Sequence, residues 1–224
     1  MDQTLIDYDS SRKAGLDAVM AAMGRAGYDI PRQQFLDSHD AHAHNEESTY
    51  LASGKWRPTV ERFRDLCIEY DMPHDGFAEA LSDAYFKARF SNLHQYPETR
   101  AVLEALGPFY PLFLITNGPA KNQHLEIEVS GVAPYFRQLL VCDDYGMRKP
   151  DRRLFEMLRE AAGVPDEAML IVGDNAVADI DVPRAMGWAT VWVIRDDARR
   201  AQADPARADA VVRSVAEVPG LLGL

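Results

Sequence analysis

Four short stretches carry polar residues whose types and spacing can do chemistry. Asp2, Thr4 and Asp7 stand in the run Met1-Asp2-Gln3-Thr4-Leu5-Ile6-Asp7. Thr116-Asn117-Gly118 follows the apolar pair Leu114-Ile115, and Arg148-Lys149-Pro150-Asp151 sets one lysine before a proline. Val172-Gly173-Asp174-Asn175 opens a fourth segment that reaches Asp179. Carboxylates ligate hard cations or exchange protons, a lysine neutralises an anion, and a hydroxyl with backbone amides holds anionic oxygens. Taken singly, each stretch has a plainer reading. Asp174 and Asp179 suit a turn and the acidic start of a helix, and Lys149 suits a solvated surface. Thr116-Asn117-Gly118 suits a strand-end turn, and Asp2 a loose terminus.

The elements that must position these residues fall into two textures. From Ser10 to Leu93 apolar residues recur at helical spacing: Leu16, Val19, Met20 and Met23, then Val60, Phe63, Leu66 and Tyr70, then Phe77, Leu81, Tyr85 and Ala88. That periodicity, without strand-like alternation, predicts a small helical bundle. From Pro97 onward, short apolar runs alternate with amphipathic helices. Strands are expected at Leu112–Ile115, Leu139–Cys142, Met169–Val172 and Thr190–Ile194, and Ala210–Val212 leads into a short closing helix. Helices are expected at Pro97–Leu106, Lys121–Ser130, Arg152–Ala162 and Val177–Met186. Apolar runs separated by helices predict a parallel sheet covered on both faces. Such sheets bind ligands beyond the carboxyl ends of their strands, and here those ends read Thr116-Asn117-Gly118, Asp143-Asp144 and Gly173-Asp174-Asn175. The fold class is therefore α/β, a Rossmann-like parallel sheet core with an all-helical domain. Residues 1–9 and 94–224 form the core and residues 10–93 the helical domain.

Composition narrows the partners. A formal charge of −11 argues against nucleic acid, whose phosphates attract basic faces. The longest apolar runs are too short to cross a bilayer. Asp2, Asp7 and Asp9 occupy the place of the basic and apolar stretches of a secretory leader. Cys67 and Cys142, two isolated thiols, fit a reducing compartment, and a cytoplasmic location is expected. The segment Asp37–His44 contains His39, His42 and His44, but no two of them stand four apart as paired zinc ligands on a helix do. It is expected to be a polar helix face or a loop. Trp56, Trp188 and Trp192 are expected to pack, with Trp56 alone a candidate to touch substrate.

The four polar stretches, in this order and with a helical insert after the first, resemble the motif set of the haloacid dehalogenase superfamily over essentially the whole chain. Met1–Asp7 resembles that family's DxDxT-L-x-D loop without its opening Asp and preceding strand. The resemblance implies phosphoryl transfer in which a carboxylate attacks phosphorus and water hydrolyses the aspartyl-phosphate. Asp2 matches the acid that protonates the departing alkoxide and then activates water, its carbonyl also facing the metal. Asp174 matches the carboxylate that coordinates Mg2+. Asp179 sits behind the metal, orienting a bound water or Lys149. Thr116 with the amides of Asn117 and Gly118 holds the phosphoryl oxygens, and Lys149 neutralises charge on phosphate and carboxylates. The expected metal set is Asp2, Asp174 and Asp179, and the expected catalytic residues are Asp2 and Lys149.

The family's nucleophile would stand two residues before Asp2. Its strand belongs between the strands ending at Ile115 and Val172. Without it those neighbours lose ladder hydrogen bonds and buried side chains together comparable to the stability of a whole domain. The expectation is that the native chain starts about ten residues upstream. The implied function is a Mg2+-dependent phosphatase of a small phosphorylated metabolite, of the sugar-phosphate or nucleotide class. The substrate must fit beneath a closing helical cap, and the protein is expected as monomer or homodimer. The alternatives are a catalytically dead binding module, if Met1 is the true start, and a haloacid dehalogenase, which needs no second acid.

Overall fold

The computed structural model describes residues 1–224, the side chain of Glu47 excepted. The chain divides into two compact units, residues 1–8 with 94–224 and residues 9–93.

The second unit is helical: α1 (Tyr8–Arg25), α2 (Arg32–Ser53), α3 (Thr59–Glu69) and α4 (Phe77–Ser91). Leu16, Val19 and Met23 of α1 share one core with Phe63 and Leu66 of α3 and Leu81 and Tyr85 of α4. This is the helical stripe that the spacing predicts. The buried residues of α2 are less regular in kind. Phe35, His39, Glu46 and Tyr50 are all buried, and their spacing keeps them on one face.

His39, expected on a polar face, lies inside at 1% exposure. The rings of Phe35, Phe63 and Tyr85 stand about it at 6.1–6.2 Å. Its burial is tolerated because both ring nitrogens have partners. Arg62 Nη1 stands 3.1 Å from Nε2, and Asp40 Oδ1 stands 3.1 Å from Nδ1. Arg62 in turn donates through Nε to Glu46 Oε1 at 3.0 Å and through Nη2 to Glu46 Oε2. His42 instead pairs with Glu69 at 2.8 Å, and His44 is exposed.

The first unit carries five short parallel strands. β1 (Phe113–Thr116) pairs β2 (Gln138–Val141), with Thr116 opposite Val141. β3 (Leu170–Gly173), β4 (Ala189–Val193) and β5 (Ala210–Val212) form a second sheet in that order. β1 and β3 therefore each pair on one side only. The connecting helices are α5 (Thr99–Leu106), α6 (Ala120–Ser130), α7 (Arg152–Ala162), α8 (Asp181–Met186), α9 (Asp197–Gln202) and α10 (Val218–Leu221). Leu140, Leu154, Phe155, Leu158, Ile171 and Trp188 bury together. Ile180, Trp192 and Ile194 form a separate cluster.

One element differs from expectation. In place of a single helix over Val177–Met186, a π-helical turn spans Ala176–Ile180 before α8. Asn175 caps it, its side chain accepting from the Ala178 amide at 3.0 Å. Single π turns of this kind recur at functional sites. Among the described residues no helix is long and apolar enough to cross a membrane.

Residues 1–6 form a tight loop. The Met1 carbonyl accepts the Leu5 amide at 2.9 Å, and the Leu5 carbonyl accepts the Tyr96 amide at 3.0 Å and Thr99 Oγ1 at 2.8 Å. Arg195 pins the loop by donating to the carbonyls of Gln3 and Thr4 at 3.1 and 2.9 Å. Its guanidinium is itself held by Glu98 at 2.9 Å and stacked on Tyr96.

Candidate active site

The four polar stretches meet through a continuous series of contacts. Thr4 Oγ1 donates to Asp174 Oδ1 at 3.4 Å, joining the first stretch to the fourth. Lys149 Nζ donates to Asp179 Oδ1 at 2.6 Å, joining the third to the fourth. The same ammonium reaches the Ile115 carbonyl at 3.5 Å, at the end of β1.

Asn117 closes the series. Its Oδ1 accepts the Lys149 amide at 2.8 Å and its Nδ2 donates to the Lys149 carbonyl at 3.1 Å. The sequence points to the backbone amide of Asn117; the structure adds that its side chain clamps the peptide carrying the lysine. No short-range pattern signals a partner 32 residues away.

Local structure explains the aim of each group. Gly173 ends β3, and a Cβ there would stand 2.5 Å from Asp179 Oδ2, so the missing side chain makes room for the carboxylate. The π turn brings Asp179 back toward its own start, where Oδ2 accepts the Asn175 amide at 3.1 Å. Both Asp179 oxygens are thus engaged, one by Lys149 and one by backbone. Asp151 serves α7, accepting from the Arg153 amide at 3.0 Å as its N-cap. Gly118 has φ +130°, a conformation that costs an L side chain strain.

The electrostatics follow from burial and pairing. Lys149 and Asp179 are 7% and 6% exposed. Burial alone would depress the lysine, but the Asp179 carboxylate overrides it and holds the ammonium above the ordinary lysine range. Burial likewise works against an ionised Asp179, and the lysine charge more than offsets it, so the carboxyl lies below its ordinary value. Asp174 goes the other way. Burial raises it, with the Asp179 charge adding and the terminal amino group, Lys149 and Arg199 opposing. A buried carboxylate of raised pKa is one a cation would return to its ionised form.

Whether these residues fit a cation is tested by what their oxygens lack. Asp2 Oδ1 is buried with no hydrogen-bond partner, and Asp174 Oδ1 receives only a long contact from Thr4 among the described hydrogen bonds. An under-used carboxylate such as Asp174 suits magnesium, which takes oxygen ligands and keeps several waters. Among the described residues no three His, Cys, Asp or Glu side chains gather as a metal site. This agrees with Asp179 being spent on Lys149 rather than open toward a cation.

A hydroxyl, a clamped lysine and acidic groups thus gather beyond the strand ends of an α/β fold, where such folds bind ligands. Comparison with known proteins then gives the family: residues 1–193 match the sequence profile of the haloacid dehalogenase-like hydrolases, and the chain belongs to that family. YfnB of Bacillus subtilis, a HAD-hydrolase by name, is 30% identical over 213 residues, covering 88% of this chain and 82% of its own. Its magnesium-bound crystal structure superposes with a TM-score of 0.73, 20% identity, and coverage of 100% and 96% of the two chains. Phosphoserine phosphatase of Thermus thermophilus is 38% identical over 119 residues, 53% of this chain and 47% of its own. Pyrimidine 5'-nucleotidase YjjG of Escherichia coli is 32% identical over 114 residues, 50% and 51% of the two chains. The matched stretch thus spans about half the length of these last two relatives.

Proposed function

We propose that this protein is a magnesium-dependent phosphatase of small phosphorylated metabolites that works through an aspartyl-phosphate. The observation that carries the reading is the contact series Thr4–Asp174, Asp179–Lys149 and Lys149–Asn117, which draws four distant stretches to one sheet edge. The names of two relatives, a phosphoserine phosphatase and a pyrimidine 5'-nucleotidase, support phosphate-ester hydrolysis, and a magnesium-bound relative of the same fold supports the metal.

In this reading Lys149 and Thr116, with the amides of Asn117 and Gly118, hold the phosphoryl oxygens. The Asp174 carboxylate and the Asp2 backbone carbonyl would hold magnesium, which when bound would draw charge from those oxygens. An attacking carboxylate forms an O–P bond as the ester O–P bond breaks, and Asp2 gives its proton to the departing alkoxide. Asp2 then takes a proton from the water that attacks phosphorus, and the carboxylate–phosphorus bond breaks to release phosphate. Asp179 keeps Lys149 protonated and in place. The attacking carboxylate is assigned to a residue two positions before Asp2, at the end of a strand upstream of Met1. The one-sided pairing of β1 and β3 supports that assignment, since a parallel strand between them would complete both ladders. Residues 9–93 are assigned as the family's cap domain. A cytoplasmic location and a sugar-phosphate or nucleotide substrate remain part of this reading.

The test is magnesium-dependent phosphate release from p-nitrophenyl phosphate and a panel of sugar and nucleotide phosphates. A chain extended upstream through the expected Asp should turn over, and residues 1–224 and Asp174→Asn in the extended chain should not. Inactivity of the extended chain on every ester would support a binding module instead, and halide release from 2-haloacids would support a dehalogenase.

A further inference from the structure

The two loops that meet at Thr4 and Asp174 are held by one segment, Trp192 to Arg199, at the end of β4 and the start of α9. Trp192 packs with Ile180 and Ile194, and its one polar atom does something more. It stands beside Gly173 in the parallel register of β3 and β4. β3 stops there, and the next carbonyl, that of Asp174, is met by side chains. The Trp192 indole donates to it through Nε1 at 2.9 Å and Arg199 through Nη2 at 3.2 Å. A carbonyl oxygen has two lone pairs, so two donors hold its peptide plane in place. The direction in which the Asp174 side chain leaves that backbone, toward Thr4, is held with it.

Three residues on, Arg195 does the same for the first loop, donating to the carbonyls of Gln3 and Thr4. Gln3 has φ +54°, a left-handed conformation that strains a side chain and persists only where the surroundings enforce it. Arg195 on the Gln3 carbonyl and the Tyr96 hydroxyl on Gln3 Oε1 supply that enforcement. The peptide before Gln3 is planar, and its oxygen is the Asp2 carbonyl. The torsion at Gln3 therefore helps to set where that carbonyl points.

We propose that Trp192 and Arg195 are positioning residues that fix the Asp174 carboxylate and the Asp2 carbonyl relative to each other, acting only through backbone, and so set the affinity for magnesium. In this role neither side chain is a ligand. The inference rests on the metal reading given above.

Trp188 supplies the control. It is buried like Trp192 and its Nε1 donates to Asp166 at 2.7 Å, but it lies at the opposite, amino ends of the same two strands. The experiment is calorimetric titration of the upstream-extended chain with magnesium chloride, without substrate. Trp192→Phe keeps a ring in the core and loses the N–H, and magnesium should bind about 10-fold more weakly, as when other supports behind a metal ligand are removed. Trp188→Phe loses an indole and a hydrogen bond alike, and should leave magnesium binding within about 2-fold of wild type. Arg195→Met should weaken binding about 10-fold as well, and it decides alone if Trp192→Phe does not fold. Unchanged or tighter binding in either folded variant, or equal weakening by Trp188→Phe, overturns the proposal, since loss of packing alone does not distinguish the two tryptophans. An extended wild-type chain that binds no magnesium at millimolar concentration sinks the metal reading and this inference together. Wild-type binding that the substitutions leave unchanged sinks this inference alone.

Discussion

In the sheet-bearing unit Lys149 meets Asp179 at the end of two strands, 2.6 Å apart. In the helical unit Arg62 grips Glu46 in the middle of a bundle, with His39 on its third side. Both networks bury charge, and both satisfy it. They differ in what surrounds them. The lysine pair neighbours Asp174, a carboxylate that burial leaves poised to gain from a cation, and lies in the unit whose Asp2 oxygen has no partner. Around Arg62, the Nε, Nη1 and Nη2 donors all end on protein acceptors. A buried ion pair thus signals chemistry only where neighbouring groups are left wanting a ligand; where every group is answered from within, it holds helices in register.

The largest effect that tests this contrast is Lys149→Met. It leaves Asp179 buried without its cation and should cost about 3–5 kcal/mol in urea unfolding, with most of the loss restored by adding Asp179→Asn. A loss under about 1 kcal/mol would mean that the pair is not load-sharing in the fold.

Acid should act on the helical unit next. Burial, with the Arg62 charge adding, pushes His39 down to about 4 from an ordinary 6.5. Above pH 6.5 the ring is neutral in both folded and unfolded chains, and its stabilising contribution is complete. Between 6.5 and 4 the unfolded chain takes up a proton that the folded one refuses, so stability falls as pH falls. The full loss approaches about 3 kcal/mol at pH 4. Hydrogen exchange of peptides from residues 9–93 should report it, and His39→Phe should flatten the slope.

The legibility of the two regions differs for the same reason. At the sheet edge Thr116 and Asp174 could be placed from the apolar runs they follow, whereas Lys149, beyond the strand end at Val141, was legible only through the family resemblance. Strand limits such as Phe113–Thr116 and Leu170–Gly173 fall one residue from those expected. In α2 the buried face mixes Phe35 and Tyr50 with His39 and Glu46, and hydropathy alone assigns the last two to the surface. Their partner Arg62 lies in another helix, at a distance fixed only by packing. Asn117 was opaque for a related reason, since an amide's partner is chosen by tertiary contact. The π turn was hidden too, because its residues also fit a helical pattern.

A smaller effect separates backbone from charge. Gly118→Ala forces a Cβ onto a left-handed φ and against Gln123, and should cost about 1–3 kcal/mol in thermal unfolding. Gly163→Ala, at φ +70° with open space around it, should cost about 1 kcal/mol or less. A near-neutral outcome is the sharpest test of the helical network. Replacing His39, Glu46 and Arg62 together with Phe, Leu and Met should leave stability within about 1–2 kcal/mol of wild type, and phosphate binding untouched. Lost binding in a well-folded triple variant would show that the two networks are not the separate devices described.

The grip of Arg195 on the carbonyls of Gln3 and Thr4 spans 192 and 191 residues of chain. A loop made earlier in synthesis is therefore fastened by a guanidinium made 191 residues later. During synthesis that loop waits for its clamp until Arg195 emerges. Removing the chain from Arg195 onward would thus leave residues 1–6 intact but held at Leu5 by the Tyr96 and Thr99 bonds, with the Gln3 and Thr4 carbonyls released.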